Sequence, residues 1–351
     1  MGRRKFLKAA LPALEAMRSA AAPGMKITRI ETVYWNNVLA LRQEAIYADA
    51  LRVAEQQLAE TEARIKVGRI AEVEIAAARA EVAARHESLI AAAAAREKAR
   101  LNLLRLLNLP GTNLWDRAID LLDPPAEPAG PLDDVGSHVR LGMLLRADLN
   151  QARLAAERGE LEVVKTRNGL LPKLDLFITL GRTGYADSFG DSAQNVMDED
   201  HSDWSFGATI EYPLGNRDAR ARKRRATLEV EQTRAALANL AQLAKVDIRS
   251  AYIDVLSSKE EIAATAATRR YREDALRAET EKFRVGKSTA LLVAQAQRDH
   301  LFSQLAEVSS VVGHLQALIG LYRLEGSLLE RRGIRMPDAV GPAKRAAAAP
   351  R

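Results

Sequence analysis

Cysteine is absent from this 351-residue chain, and aromatic residues make up only 5% of it. Without cysteine there are no disulfides and no thiol chemistry. A chain that is 47% apolar and 28% charged but poor in aromatics is typical of long, alanine-rich helices and coiled coils. The net charge of +6 is small for this length, so it does not by itself indicate nucleic-acid binding.

Long apolar runs are also scarce. The longest uncharged run near the C-terminus, residues 308–322, has 15 residues and includes Ser309, Ser310, His314 and Gln316. A helix that crosses a bilayer needs about 20 predominantly apolar residues. We therefore predict no transmembrane helix.

Glycine and proline number 20 and 12 in the chain but are missing from residues 217–285. Good helix formers fill this stretch, and a helix of that length would extend for about 100 Å. It stops at Gly286, a residue that readily takes the left-handed conformation that closes a helix. We predict the rising arm of a long helical hairpin with its tip at residues 285–288. Small or apolar residues spaced by four and three form its seam toward a partner helix: Leu237, Ala241, Ala244, Ile248, Ala251, Val255, Ser258 and Ile262.

An earlier hairpin has the same pattern. Residues 26–67 and 69–109 lack glycine and proline, are separated by Gly68, and stop at Pro110-Gly111. Residue n here matches residue n + 218 of the later hairpin without a gap from Tyr34/Tyr252 to Asn108/Gly326, and 14 of 75 positions are identical. The identities include Val67/Val285 and Gly68/Gly286. This register indicates a duplication, and the repeat decides the fold.

Residues 172–213 have a different character. Apolar residues at 174, 176, 178 and 180, and again at 204, 206, 208, 210 and 212, mostly alternate with polar or small ones, which predicts two strands. The window holds six aromatics, in a chain that has 3 Trp, 7 Tyr and 6 Phe. Strands of this length, with aromatics and a long polar loop, are typical of a transmembrane barrel hairpin. A soluble hairpin on a globular core is the alternative.

The remaining segments are shorter. Asp133 or Asp134 is expected to cap a short helix, and Asp148 a longer one that ends at Asn168. Residues 217–225 carry six cations, which we interpret as a collar beneath anionic lipid headgroups. A solvated helix start and a nucleic-acid contact are the alternatives.

Catalytic motifs are missing from the sequence. The five histidines are scattered, and none has the helical spacing of a metal-binding pair. There is no phosphate-binding glycine loop and no nucleophile elbow. Acidic residues and His201 within 198–203 could hold a cation, although a solvated loop is the simpler interpretation. We predict no enzyme activity, no metal and no cofactor.

Two glycine-tipped hairpins, with a strand pair leading into the second, resemble the TolC-type outer-membrane efflux family. Residues 146–149 (Arg-Ala-Asp-Leu) are similar to its Arg-Pro-Asp-Leu element, and residues 171–174 (Leu-Pro-Lys-Leu) to its strand entry. Tyr212-Pro213-Leu214 is similar to its proline exit, and Val67-Gly68 and Val285-Gly286 to its paired tips. The resemblance covers about residues 26–326.

This resemblance implies a mainly α fold with one β-hairpin. Two tandem long coiled-coil helical hairpins would form an α-barrel subunit, and the strand pair one hairpin of a transmembrane β-barrel. The predicted segments are an irregular N-terminus or remnant signal (1–25), the first long hairpin (26–111), a linker with short equatorial helices (112–171), the barrel hairpin (172–213), the second long hairpin (214–326) and a disordered tail (327–351).

The function implied is a passive channel subunit of a tripartite efflux or type I secretion system. The protein would be a homotrimer in the cell outer membrane, with its helical part in the periplasm. Its partners would be a periplasmic adaptor, an inner-membrane pump and outer-membrane lipid, and not nucleic acid. The alternative is a soluble or periplasmic structural coiled-coil or adaptor protein.

The resemblance also assigns residues. Adaptor docking is expected at Val67, Gly68, Arg69, Val285, Gly286, Lys287 and Ser288, and membrane-interface aromatics are Phe177, Trp204, Phe206 and Tyr212. The periplasmic constriction would involve Glu74, Leu292 and Gln295. Family members often carry aspartates six and nine residues after the second tip glycine, where this chain has Leu292 and Gln295. We therefore expect a constriction that responds weakly to cations.

One departure from the family concerns the strands. Subtracting 218 places the counterpart of the strand pair before residue 1, because Met1 aligns with Ala219. Three copies of this chain would supply six strands, whereas bacterial barrels start at about eight. We therefore expect a natural gene that is longer at its 5′ end, and no stable pore from this chain alone.

Overall fold

The computed structural model describes residues 23–68, 72–108, 115–125, 130–182, 186–190, 196, 202–212 and 214–334. Several predictions lie outside these residues: most of the irregular N-terminus, the tip residue Arg69, residues 198–201 of the possible cation loop, and the tail beyond residue 334. The described part forms two compact units, one within Met1–Arg146 and Leu243–Arg351, and the other Ala147–Gln242.

The helices and strands follow the predicted order. They are α1 (Pro23–Lys66), α2 (Glu74–Leu107), α3 (Val135–Leu145), α4 (Ala147–Asn168), β1 (Lys173–Arg182), β2 (Ser202–Glu211), α5 (Arg217–Arg284), α6 (Ala290–Leu324) and the short α7 (Leu328–Arg331). Helix α5 has 68 residues, and α1 has 44. In chain order, a first long helical hairpin (α1–α2) is followed by two shorter helices, one strand pair and a second long helical hairpin (α5–α6).

The predicted seam of α5 is the buried face of that helix. Ala244 and Ile248 are fully buried, and Ala251 and Val255 are nearly so. The other predicted seam residues, 237, 241, 258 and 262, are half-buried. Ser258 Oγ lies 3.0 Å from His314 Nδ1 of α6, so α6 is one of the partner helices that this seam faces.

Helix α2 differs from the expectation at both ends. It begins at Glu74 rather than Arg69, and it ends at Leu107, before Pro110. Asn108 closes it in the left-handed conformation (φ 43°), and its N–H donates to the Leu104 carbonyl at 3.0 Å. Asparagine tolerates this conformation because its short polar side chain can bond locally. The duplicate position, Gly326, has the same conformation (φ 80°).

The core of the first unit lies where α1 meets α6. Its buried residues come from α1, α2, α6 and α7: Ile27, Tyr34, Trp35, Val38, Leu103, Val312, Leu315, Ile319 and Leu328. Tyr34 and Trp35 meet edge to face, with ring centroids 5.2 Å apart. By length and composition α6 is apolar enough to cross a membrane, which the sequence did not suggest. Part of its apolar surface, including Val312, Leu315 and Ile319, is buried in the protein core.

The C-terminal segment corrects the tail prediction. Residues 327–334 are ordered, although we expected disorder from residue 327 onward. Leu328 is buried in the core, and Arg332 forms two hydrogen bonds to the Glu31 carboxylate, at 2.7 and 2.8 Å. A buried leucine and a paired arginine outweigh the disorder-promoting composition that begins only a few residues later.

The second unit contains α4, the strand pair and the first part of α5. Val230 of α5 packs against Gly159 of α4, and Arg234 Nη2 donates to Glu160 Oε1 at 2.6 Å. The two strands are antiparallel, with Lys173 opposite Glu211 at one end and Arg182 opposite Ser202 at the other. Ten residues per strand match the length of a tilted membrane-spanning strand, about 9–11 residues.

Candidate functional site

The tip of the second hairpin is closed by backbone hydrogen bonds around Gly286. Its φ is +76°, a value that favours glycine. The N–H of Gly286 donates to Phe283 O at 3.1 Å, and the N–H of Lys287 donates to Lys282 O at 2.8 Å. This pair of bonds is a Schellman motif, which satisfies the free carbonyls at the end of a helix.

The glycine at the tip of the first hairpin has the same left-handed conformation. Gly68 has φ +72°, and its N–H donates to Ile65 O at 2.9 Å. The valines that precede the two glycines are exposed to the same degree, Val67 to 68% and Val285 to 66%. The duplication seen in the sequence therefore extends to the backbone conformation of both tips.

Side chains fix the second tip further. Ser288 Oγ donates to Glu279 of α5, which also accepts from Lys282 Nζ at 3.0 Å. These hydrogen bonds lower the pKa of Glu279, the one from Ser288 most and the one from Lys282 next. Thr289 then caps α6, with its side chain accepting from the Leu292 N–H at 3.4 Å. The loop is thus bonded to the helix on each side of it.

The two hairpins also contact each other close to their tips. The Arg64 guanidinium of α1 lies 4.9 Å from the ring centroid of Phe283 of α5, which is buried. Further along, Arg298 of α6 donates to Glu81 of α2 at 3.2 Å. Sequence reasoning missed these contacts, because they join residues that are far apart in the chain and have no local pattern.

The three predicted constriction residues do not form a cluster of charges. Leu292 is 46% exposed, Gln295 is exposed, and Glu74 is half-buried at the start of α2. Leu292 and Gln295 both lie in the first turns of α6 on its exposed side. Only Glu74 of the three carries a charge.

A cleft of about 460 Å³ lies between the hairpins. Its lining mixes charged and amide side chains with apolar ones and includes Arg52, Arg85, Arg277, Asp49, Glu273, Gln297, His300, Leu276 and Leu301. Burial lowers the pKa of His300; Glu273 opposes this shift and Arg269 adds to it. The His300 Nδ1 atom is buried, with no hydrogen-bond partner among the described residues.

One face of the strand pair is apolar over four successive cross-strand pairs, and that part of the face is exposed. Cross-strand partners on it are Leu174 with Ile210, Leu176 with Ala208, Ile178 with Phe206, and Leu180 with Trp204. Except for the smaller Ala208, each of these side chains is at least 60% exposed. Trp204 and Phe206 stack, with centroids 5.8 Å apart. An exposed apolar surface of this extent marks a site that contacts lipid or another protein.

Phe177 lies on the other face and therefore differs from the three other predicted membrane-interface aromatics. It is opposite Gly207, and a Cβ at position 207 would lie 2.5 Å from Phe177 Cζ, so the ring covers the glycine. Its neighbours on that face are Asp175 and Thr179. Trp204, Phe206 and Tyr212 share the parity of the apolar face, and all are at least 67% exposed. The sequence contains this difference, because odd and even positions of a strand lie on opposite faces and Phe177 is at an odd position.

No group of His, Asp and Glu within the described ranges could hold a metal ion. Of the possible cation loop, residues 198–201 lie outside those ranges. The described geometry offers closed helix tips, a cleft with polar and apolar lining, and a lipid-compatible sheet face. These are features of a conduit or scaffold.

Long paired hairpins with a lipid-compatible strand pair define the class of α-helical outer-membrane channel subunits. Residues 143–327 match the profile of the outer membrane efflux protein family. This match spans more than half of the chain, so the chain belongs to the outer membrane efflux protein family. No curated protein matches the sequence.

Solved channel structures share the fold. A membrane protein from Pseudomonas aeruginosa superposes with a TM-score of 0.72 at 18% identity, over 92% of this chain and 71% of that one. The outer-membrane channel OprN superposes with a TM-score of 0.72 at 24% identity, over 86% of this chain and 66% of OprN. The outer membrane protein VceC from Vibrio cholerae superposes with a TM-score of 0.70 at 21% identity, over 91% of this chain and 74% of VceC. The chain thus spans about two thirds to three quarters of their lengths. The predicted fold class and family are confirmed.

Proposed function

We propose that this chain is a passive channel subunit of a tripartite efflux or type I secretion system. The observation that carries the proposal is the pair of duplicated hairpins with matching left-handed glycine tips, in a family of outer-membrane efflux proteins. A conduit driven by a separate pump needs no catalytic groups of its own. Its work is to conduct and to gate.

Docking to a periplasmic adaptor is assigned to the tips. Val67 and Val285 project from matching positions and give each tip an exposed apolar contact. Lys287 and Ser288 add polar groups next to the second valine. The tip loop of the second hairpin is held by its own hydrogen bonds, so little conformational entropy is lost on docking.

Assembly as a homotrimer is supported by a second apolar stripe on α5. Leu243, Val246 and Ile253 are 52%, 61% and 63% exposed. At 100° per residue they lie on the side of the helix opposite the buried seam residues Ala244 and Ile248. A neighbouring subunit would bury this stripe, while the strand pair would join a shared barrel in the cell outer membrane with the helices in the periplasm.

A soluble or periplasmic structural coiled-coil or adaptor protein is the alternative. It would leave the apolar sheet face, with Trp204 67% and Leu180 80% exposed, in water. An adaptor has one hairpin between β-rich domains, whereas this chain has two matched hairpins. Fractionation of cells decides between them: the channel sediments with outer membranes and needs detergent for extraction, and the alternative is extracted by salt alone.

The tip assignment is tested with Gly286→Val. At φ +76° a β-branched side chain is strained, so the tip must rearrange. Gly313→Val is the matched control, because Gly313 is exposed on α6 and has open space around it. We expect Gly286→Val to reduce export while trimer level and membrane insertion stay normal. Export at the wild-type level from Gly286→Val would show that the tip does not dock the adaptor.

A further inference from the structure

The junction between the strands and the helices brings two helix ends to one end of the sheet. Helix α4 leads into β1, and β2 leads into α5. Lys173 Nζ and Glu211 Oε2, at this end of the two strands, form an ion pair of 3.5 Å. The C-terminal end of α4 and the N-terminal end of α5 therefore adjoin the same edge of the apolar sheet face.

Exposed apolar side chains continue past the strands into this junction. Leu171 precedes β1 and is 62% exposed, and Tyr212 and Leu214 follow β2 and are 68% and 92% exposed. Exposed apolar surface therefore continues from the sheet to the junction, as a tyrosine and two leucines next to its cations. A tyrosine at such a boundary is typical of the level of lipid headgroups.

The charges at the junction do not cancel. Four carboxylates are already paired with cations: Glu162 with Lys165, Glu211 with Lys173, Asp218 with Arg222, and Glu229 with Arg225. Five further cations form no ion pair within the described part of the chain: Arg167, Arg217, Arg220, Lys223 and Arg224. We call these five the junction cations.

Helix geometry separates the two groups of cations on α5. At 100° per residue, Arg217, Arg220 and Arg224 lie within one 60° sector of the helix. The paired Arg222 and Arg225 lie in a different sector, with Asp218 and Glu229. The face packed toward α4, marked by the buried Ala219, Ala226 and Val230, is a third sector. The three unpaired arginines therefore point together to an open surface.

We propose that the junction cations bind the phosphate groups of anionic phospholipids in the leaflet from which the helices emerge. The inference rests on the proposed function, which places the strand pair in a membrane. Arginine suits this role because its guanidinium can donate two parallel hydrogen bonds to a phosphate. From Arg217 to Arg224 the helix rises by about 10 Å, which is comparable with the headgroup layer of one leaflet, roughly 5–8 Å.

Lipid suits this surface better than nucleic acid. The cations adjoin exposed Leu171, Tyr212 and Leu214, which a phosphodiester backbone in water would leave uncovered. On this sector of α5 the next charged residue beyond Arg224 is the carboxylate Glu231, so the basic stripe is short. A nucleic-acid surface is expected to follow the backbone over a longer path.

The test measures binding of the full chain to lipid vesicles by flotation. One set of vesicles is phosphatidylcholine, and the other contains about a quarter phosphatidylglycerol. The test variant is Arg220→Gln/Arg224→Gln, and the matched control is Arg222→Gln/Arg225→Gln, which removes the same net charge from the same two turns. Circular dichroism checks that both variants keep the helical content of the wild type.

We expect the wild type to prefer the anionic vesicles, and the test variant to lose about tenfold or more of that preference. The control variant is expected to lose less than about threefold, and added salt to weaken the preference. Equal losses from both variants would overturn the assignment. So would displacement of the protein from anionic vesicles by a duplex oligonucleotide.

Two outcomes separate this inference from the proposed function. Equal binding of the wild type to both kinds of vesicle would overturn the headgroup site and leave membrane placement intact. Failure of the wild type to float with either kind of vesicle would overturn the membrane placement and the headgroup site with it.

Discussion

Of the carboxylates that the structure describes in the first unit, Glu325 is the most deeply buried, with no exposed surface. It contacts His138 Nδ1 of α3, accepts a hydrogen bond from Ser327 Oγ, and accepts another from Arg331 Nε at 3.1 Å. Arg331 also stacks over the Tyr322 ring at 4.3 Å. One side chain thus joins α3, the end of α6 and α7.

Replacing this carboxylate should destabilise the fold. We expect Glu325→Gln to lower the free energy of unfolding by about 3 kcal/mol, because it leaves buried donors without their charged acceptor. Glu330→Gln, at an exposed site five residues further along the chain, should change it by less than about 0.5 kcal/mol. Denaturant unfolding followed by circular dichroism measures both. Equal midpoints for the two variants would contradict the role given to Glu325.

His300 gives the second prediction at this scale, through pH. Its folded-state pKa is lowered, mainly by burial, whereas the unfolded side chain titrates near 6.5. As pH falls through the window just below 6.5, the unfolded state binds the proton first, so stability falls with the pH. The neutral imidazole therefore stabilises the fold above this window, and the contribution is lost on acidification.

His300→Gln should reduce that acid sensitivity. We expect the wild type to lose more thermal stability between pH 7.5 and pH 5.5 than this variant does. His86→Gln is the control, because His86 is exposed on α2 and should behave as the wild type does. An identical pH dependence in His300→Gln and the wild type would show that His300 does not titrate as the structure indicates.

Most of the helices, strands and turns could be predicted from local sequence patterns. Seam spacing identified the face of α5 that buries Ala244 and Ile248, and two matched glycines identified both tips. Alternation identified both strands, because successive side chains of a strand point to opposite faces, and one apolar face therefore gives apolar residues at every second position. These features depend on neighbours within a few residues, so a single sequence is enough to find them.

Other features of these elements could not be found in this way. The contact of His138 with Glu325 and the two bonds of Arg332 to Glu31 join residues far apart in the chain. The start of α2 at Glu74 instead of Arg69 could not be predicted, because no glycine or proline lies between these two positions. Phe177 was grouped with the membrane aromatics by residue type, although its position in the alternation places it on the polar face.

The start of α6 gives a prediction about gating. Leu292 and Gln295 add no carboxylate there, so divalent cations should block the conductance of the channel, purified from its native membrane, only weakly. Leu292→Asp/Gln295→Asp should create block at much lower cation concentration, because opposed carboxylates bind divalent ions. Single-channel recording with a cation titration measures both. Micromolar block of the wild type would point to another acidic ring, with Glu74 the first candidate.

For the whole molecule, we propose that a strand pair with one face in lipid anchors the channel subunit. The alternation of the two faces makes this claim testable at single positions. The chain has no cysteine, so each single-cysteine variant carries one unique label site. Positions 176, 178 and 206 sample the apolar face, and positions 175, 179 and 205 sample the polar face.

The most direct measurement is labelling of these variants in native membranes with a water-soluble maleimide. We predict a period of two: cysteines on the polar face are labelled, those on the apolar face are protected, and solubilisation of the membranes in a denaturing detergent removes the protection. Trp204 and Phe206 lie on the protected face. Equal labelling of both faces in the intact membrane would contradict the lipid contact of the apolar face, because it is the result expected of a hairpin that is exposed to water on both sides.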